Sequence, residues 1–195
     1  MLKEIFKNHT IILASGSPRR QNFFKELDLD FEIRLKEVDE IYPDSLKAEE
    51  ITDFLAELKA DAFNGTLSDK DILVTSDTIV WHEGKALGKP KDYDDAFRTL
   101  QSLSGKTHEV ITSVSIRSNA KTDTFHEVTR VTFNELPDAY IKYYLDNYSP
   151  FDKAGSYGIQ EWIGLVAIAR IDGSYNNVVG LPVDKVFQHL LTFVV

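Results

Sequence analysis

Two strongly alternating stretches, Glu109–Arg117 and Thr124–Phe133, follow one another with only a short polar link between them. Alternation of apolar and polar side chains is the period of a strand with one buried face. Strands this closely joined must pair antiparallel, because a parallel crossover needs a dozen or more residues. Elsewhere the pattern switches repeatedly between strand and helix periods. An α/β protein with a mixed sheet therefore fits better than a doubly wound parallel one.

The first strand is read from the apolar run Ile11-Ile12-Leu13, and the helix after it from Phe23, Phe24 and Leu27. Phe31, Ile33 and Leu35 alternate with charged residues as a half-exposed strand would. Ser45 through Phe63 reads as a helix with Ile51, Phe54, Leu55 and Leu58 on one face. Ile72 to Trp81 reads as a strand ending in the turn His82-Glu83-Gly84-Lys85. Asp92 can cap a helix bearing Ala96, Phe97, Leu100 and Leu103, with Gly105 as its stop. Pro137 to Asn147 reads as a helix with Tyr140, Ile141, Tyr144 and Leu145 inward. Leu165–Ile171 and Asn176–Val179 read as strands, and Val183–Phe193 as a final helix. With no repeat, low-complexity tract or long linker, residues 1–195 are expected to form a single domain.

The turn Leu13-Ala14-Ser15-Gly16-Ser17-Pro18-Arg19-Arg20 carries the chemistry of an anion site. Ser17 falls where an N-cap is preferred, and Pro18 at the first helical position, where its missing N–H costs nothing. A helix N-terminus offers unpaired N–H groups and a partial positive charge. Arg19 and Arg20 add two guanidinium forks that can take phosphate oxygens bidentately. Alone, these residues favour an anion site only modestly over a capped helix with two solvated arginines, because capped helix starts are common.

Composition narrows the classes. With no cysteine, disulfides and thiolate zinc or iron–sulfur sites are excluded. A net charge of −9 argues against nucleic-acid binding, which needs a basic face. The apolar run after Met1–Thr10 is too short for a signal peptide or membrane span, so a cytoplasmic location and no membrane partner are expected. An acidic chain that binds a triphosphate must concentrate positive charge locally, through lysines, arginines and a divalent cation. Arg19, Arg20, Lys89 and Lys153 are placed to meet that demand.

Asp77 interrupts the hydrophobic stretch Ile72–Trp81. A carboxylate there is costly unless it is paired, hydrogen-bonded or holding a cation. Periodicity leaves open whether it lies on a polar strand face or in a short turn. Ser15 and Ser17 lack a Gly-x-Ser-x-Gly elbow and a clear partner base, and no Walker A segment occurs. Contact with phosphate is the expectation for both serines.

The turn at 13–20 resembles the signature of the Maf family, nucleoside triphosphate pyrophosphatases once described as septum-formation inhibitors. The resemblance continues in order through Ser76-Asp77-Thr78-Ile79-Val80, Gly88-Lys89-Pro90 and Leu103-Ser104-Gly105-Lys106-Thr107-His108. It closes with Asp152-Lys153-Ala154-Gly155-Ser156-Tyr157-Gly158-Ile159-Gln160 and Gly173-Ser174-Tyr175 through Val179-Gly180-Leu181-Pro182. It implies a Maf/ITPase-like α/β fold: a mixed, elongated central sheet flanked by helices, with two lobes around a substrate cleft.

The resemblance also implies roles. Asp77 matches the catalytic base, and Arg20 and Lys89 complete the catalytic set. Glu40 matches an acidic residue that with Asp77 holds Mg²⁺ or Mn²⁺, although a shift to Asp39 is open. Without the resemblance Glu40 is a solvated loop carboxylate, and Lys59 a solvent-facing helix lysine. Ser15, Ser17, Arg19, Arg20, Lys59 and Lys89 are implied as phosphate contacts, and Thr78, Arg20 and Gln160 as base and sugar-phosphate contacts. His108 is expected to be structural. The 152–160 segment resembles the dTTP/UTP branch, with one departure: Glu161-Trp162 follows where a glycine is commoner. The implied reaction is hydrolysis of dTTP and UTP to the monophosphate and pyrophosphate. Alternatives are CTP, a modified UTP or 7-methyl-GTP as substrate, or a nucleotide-binding regulator of cell division. A homodimer is implied as common in the family.

Overall fold

The computed structural model describes residues 2–194. In chain order it contains α1 (Leu2–Ile5), β1 (Thr10–Leu13), α2 (Pro18–Glu26), β2 (Phe31–Ile33), α3 (Glu49–Asp61), β3 (Asp71–His82), β4 (Lys85–Leu87) and α4 (Tyr93–Leu103). Then come β5 (Thr107–Arg117), β6 (Thr122–Phe133), α5 (Asp138–Tyr148), α6 (Trp162–Val166), β7 (Ile168–Asp172), α7 (Tyr175–Val179) and α8 (Val183–Leu191). The strands form a seven-stranded sheet in the order β2-β1-β3-β5-β6-β7, with β4 paired to β3.

The sheet is mixed, as the sequence implies. β1 is parallel to both β2 and β3, in register at Ile11↔Phe31 and Leu13↔Val74. β4 and β7 pair antiparallel with β3 and β6. The side-chain pairs Thr107···Thr132, Glu109···Arg130 and Ser115···Thr124 run in opposite senses along β5 and β6. Ser118 N–H donates to Lys121 O at 2.8 Å and closes the turn between them, so these two strands are the expected hairpin.

Two compact units divide the chain. The first takes residues up to 77, 112–127 and from 180 onward. Its strand β1 is buried on both faces, which is why it reads as an unbroken apolar run rather than an alternation. Ile11 and Leu13 pack with Phe24, Ile72, Val74, Leu181, Val186 and Leu190, between α2 and α8. Ile12 faces the other way, with Leu73, Ala60 and Phe63 against α3. Each such side chain removed from water contributes roughly 1.5–3 kcal/mol.

The second unit takes residues 78–111 and 128–179. Leu100 and Leu103 of α4 pack with Ile141, Tyr144 and Leu145 of α5, and with Val131, Phe133, Tyr157 and Ile163. Asp92 caps α4 as its position predicts, its carboxylate accepting from Asp95 N–H at 2.8 Å. Gly105, at φ +67°, turns the chain after that helix.

Several boundaries differ from expectation. α3 starts at Glu49 rather than Ser45, because Ala48 sits at φ 48° and breaks the helical path, while Glu50 accepts from Lys47 N–H. Asn176–Val179 lies in helix α7, not a strand: the Asn177 amide is buried and donates to Val110 O and Thr129 Oγ1. Leu165 belongs to α6 and is 84% exposed, so the strand there starts only at Ile168. Tyr140 is half exposed rather than inward. The strand after the Glu83-Gly84 turn, β4, is too short to show in sequence, as is α1.

Candidate active site

In the first unit the β1–α2 turn is held by its own polar groups. Ser17 occupies the N-cap position of α2 with Pro18 following, but its side chain makes no capping bond. Instead Ser17 N–H donates to Ser15 Oγ at 3.3 Å, and Gln21 Nε2 donates to Ser15 O at 3.1 Å. The serines therefore fix the shape of the turn. Arg20 reaches off α2 to strand β3 and the turn before α8, donating from Nε to Gly180 O at 2.9 Å and from Nη1 to Ser76 O at 3.1 Å. Burial pushes its guanidinium below the ordinary arginine value. Asp77 and Glu40 pull it back up, and Arg19 adds to the depression. Arg19 is half-buried.

Asp77 lies within β3 and is only 7% exposed, so the short-turn reading is excluded. Its position is set by strand alternation. Thr75, two residues earlier on the same face, donates to Ala56 O of α3, which aims Asp77 at the helix too. Lys59 of α3 meets it there, Nζ to Oδ1 at 2.6 Å. The same ammonium holds Glu40 Oε1 at 2.8 Å. Lys59 is thus no solvated helix lysine, and Glu40 rather than Asp39 makes the contact. Two carboxylates from separate segments converge on one cation, with Arg19 and Arg20 nearby. Hard oxygen donors gathered in this way suit Mg²⁺ or Mn²⁺.

In the second unit, Thr78 continues β3 and is partly buried. Lys89 is exposed in the segment Gly88-Lys89-Pro90, whose Gly88 O accepts from Gly155 N–H at 3.1 Å. Gly155 has φ +68° and lies so close to Val80 that a Cβ would overlap that side chain. Gln160 is exposed at the end of the same loop.

Lys153 does not stand free for phosphate. Its Nζ pairs with Asp152 Oδ1 at 2.7 Å and Glu161 Oε1 at 3.1 Å, and the residue is buried. Glu161 also accepts from the Tyr144 hydroxyl, which in turn accepts from Gly158 N–H at 3.0 Å. Sequence reasoning missed the roles of Tyr144 and Glu161. The only signal was the unusual Glu161-Trp162 pair.

His108 is buried and its Nε2 lies 2.7 Å from the Tyr157 hydroxyl, with Phe133 edge-on. Burial pushes it down to about 3, helped by His82, so it is neutral at physiological pH. It takes the structural part expected of it.

The sequence profile described as "Maf-like protein" matches residues 10–193. A curated protein of Flavobacterium psychrophilum named "dTTP/UTP pyrophosphatase" is 65% identical over 191 residues, 98% of each chain. One of the same name from Flavobacterium johnsoniae is 63% identical over 194 residues, the full length of both. Another, from Christiangramia forsetii, is 55% identical over 190 residues, 97% of each. With a profile that spans almost the whole sequence and relatives this similar end to end, the chain belongs to the Maf-like protein family.

Proposed function

We propose that this chain is a nucleoside triphosphate pyrophosphatase that hydrolyses dTTP and UTP to the monophosphate and pyrophosphate. The observation that carries the reading is the pair of carboxylates, Glu40 and Asp77, gathered round the Lys59 ammonium beside Arg20. It supports this activity because the full-length relatives are named for it.

Glu40 and Asp77 are the residues that would hold a divalent cation. Among the described residues no group of three His, Cys, Asp or Glu side chains could hold one alone. Two protein carboxylates completed by phosphate oxygens is the usual arrangement for Mg²⁺ at triphosphates. When bound, the cation supplies charge neutralisation on the phosphate chain. Arg19, Arg20, Lys59 and Lys89 bind phosphate oxygens, and the Ser15–Ser17 turn presents backbone N–H groups beside them. Thr78 and Gln160 contact sugar-phosphate and base, the Gln160 amide having both a donor and an acceptor for a pyrimidine edge.

Asp77 takes the proton of a water as that water's oxygen bonds to the α-phosphorus. The bond from the α-phosphorus to the bridging oxygen breaks, and pyrophosphate leaves with the electron pair. Catalysis of this kind is positioning and charge stabilisation rather than a covalent intermediate.

The test is pyrophosphate release with Mg²⁺ or Mn²⁺ across dTTP, UTP, CTP, 7-methyl-GTP, ITP and the common purine triphosphates. Release from dTTP and UTP with little from the purines is the expected result. Activity confined to 7-methyl-GTP would overturn the substrate class, and no release at all from folded protein would overturn the enzyme.

A further inference from the structure

Around Gly158 three side chains meet. A Cβ at Gly158 would come within 3.0 Å of Glu161 Cδ, 3.1 Å of the Gln160 amide nitrogen and 3.1 Å of Lys153 Cε. Of these, only Gln160 is exposed. The other two are locked below it: Lys153 Nζ is 3.1 Å from Glu161 Oε1, and the Tyr144 hydroxyl donates to Glu161 Oε2. The same hydroxyl accepts from Gly158 N–H, so Tyr144, fixed on helix α5 in the core, ties backbone and carboxylate together. Glu161 N–H donates back to Gly158 O at 3.0 Å, closing the turn that carries Gln160.

A carboxylate with little solvent access is costly unless its oxygens are satisfied. Here each oxygen has its own partner, from a different segment of the second unit. Such a bidentate clamp fixes a backbone turn far better than a surface ion pair would. It also engages the Lys153 ammonium inside the loop.

We propose that Glu161 is a positioning residue for substrate recognition: its carboxylate, clamped between Tyr144 and Lys153, fixes the Gly158–Gln160 turn and so the direction of the Gln160 amide. The inference rests on the reading of Gln160 as the base contact. Misdirecting an amide that recognises the substrate weakens binding and leaves the chemical step alone. Glu161→Gln keeps an acceptor for the Tyr144 hydroxyl and loses the charge facing Lys153. Glu161→Ala loses both.

The experiment measures kcat and KM for dTTP and UTP in Glu161→Ala, Glu161→Gln, Tyr144→Phe and Gln160→Ala, each checked for folding by thermal denaturation. The expected result is a KM raised about tenfold in Glu161→Ala with kcat nearly unchanged, and a smaller rise in Glu161→Gln. Tyr144→Phe should raise KM similarly, and combining it with Glu161→Ala should add little, because both remove one clamp. If Glu161→Ala cannot be folded, Tyr144→Phe carries the test by itself. A KM unchanged in Glu161→Ala or Tyr144→Phe, with Gln160→Ala raising it, would overturn the clamp and leave Gln160 as base contact. A KM unchanged in Gln160→Ala would overturn the base-contact reading and the clamp's role with it.

Discussion

The Lys59 ammonium lies 2.6 Å from the Asp77 carboxylate, joining helix α3 to strand β3 through side chains that are 18% and 10% exposed. Water screens this pair little, and removing either partner would strand the other's charge where solvent reaches it poorly.

Asp77→Asn keeps the shape of the side chain and removes the carboxylate proposed to take the proton. Pyrophosphate release should fall by about 10²- to 10⁴-fold, while binding of dTTP measured by calorimetry without divalent cation stays within a few-fold. Undiminished turnover would remove Asp77 from the chemistry.

Lys59→Met leaves Asp77 buried without its cation. The cost should be about 3 kcal/mol, the low end for breaking a buried pair, read from the urea midpoint. Adding Asp77→Asn should restore part of that loss, since the second change removes the stranded charge. Simple additivity in the double variant would mean that the pair does not act as one.

His108 gives a pH dependence with a definite sign. Burial lowers its folded pKa to about 3, from the ordinary histidine value of about 6.5. Between those values the unfolded chain binds a proton that the folded chain does not, so stability rises with pH across that window and is lost as pH falls through it. The slope from this one residue is about 1.4 kcal/mol per pH unit well inside the window. His108→Gln, which can still bond the Tyr157 hydroxyl, should lose less stability than the parent between pH 7.5 and pH 5. Parallel losses in the two proteins would contradict the assignment.

The hairpin of β5 and β6, the buried run of β1 and the Asp92 cap were legible because each is a local pattern with a local cause. Helix α7 was not. Val178 and Val179 favour a strand, and the reason they are helical is the buried Asn177 amide bonding to Val110 O and Thr129 Oγ1, far away in sequence. The site shows the same division. The strand-to-helix turn could be read from the order Ser17-Pro18-Arg19-Arg20. That Lys59 gathers Glu40 and Asp77 could not, because those three are separated by 18 residues or more and meet only once α3 lies on the sheet. Lys153 was read only as a cation at a motif position, and its pairing with Glu161 shows only in three dimensions.

Gly164→Ala probes the packing of α6 against the loop at Ile159. A Cβ at this position would overlap the carbonyl of Ile159, and backbone cannot give way as a flexible side chain can. The destabilisation should reach the upper end of the 1–3 kcal/mol usual for overpacking, about 3 kcal/mol, by thermal or urea unfolding. A neutral substitution would show that α6 can shift away from Ile159.

The hydrogen bond from Gly155 N–H to Gly88 O sets a limit on modular redesign. Residues 152–161 look like a cassette that could be transplanted from a relative with another base preference. Yet the cassette is stitched to the strand-following segment at Gly88, rests on Val80 and hangs from the Tyr144 hydroxyl. A graft of the loop alone would arrive with its seams unmatched. Changing this loop therefore also engages Val80 and Tyr144, whose side chains meet it from outside the cassette.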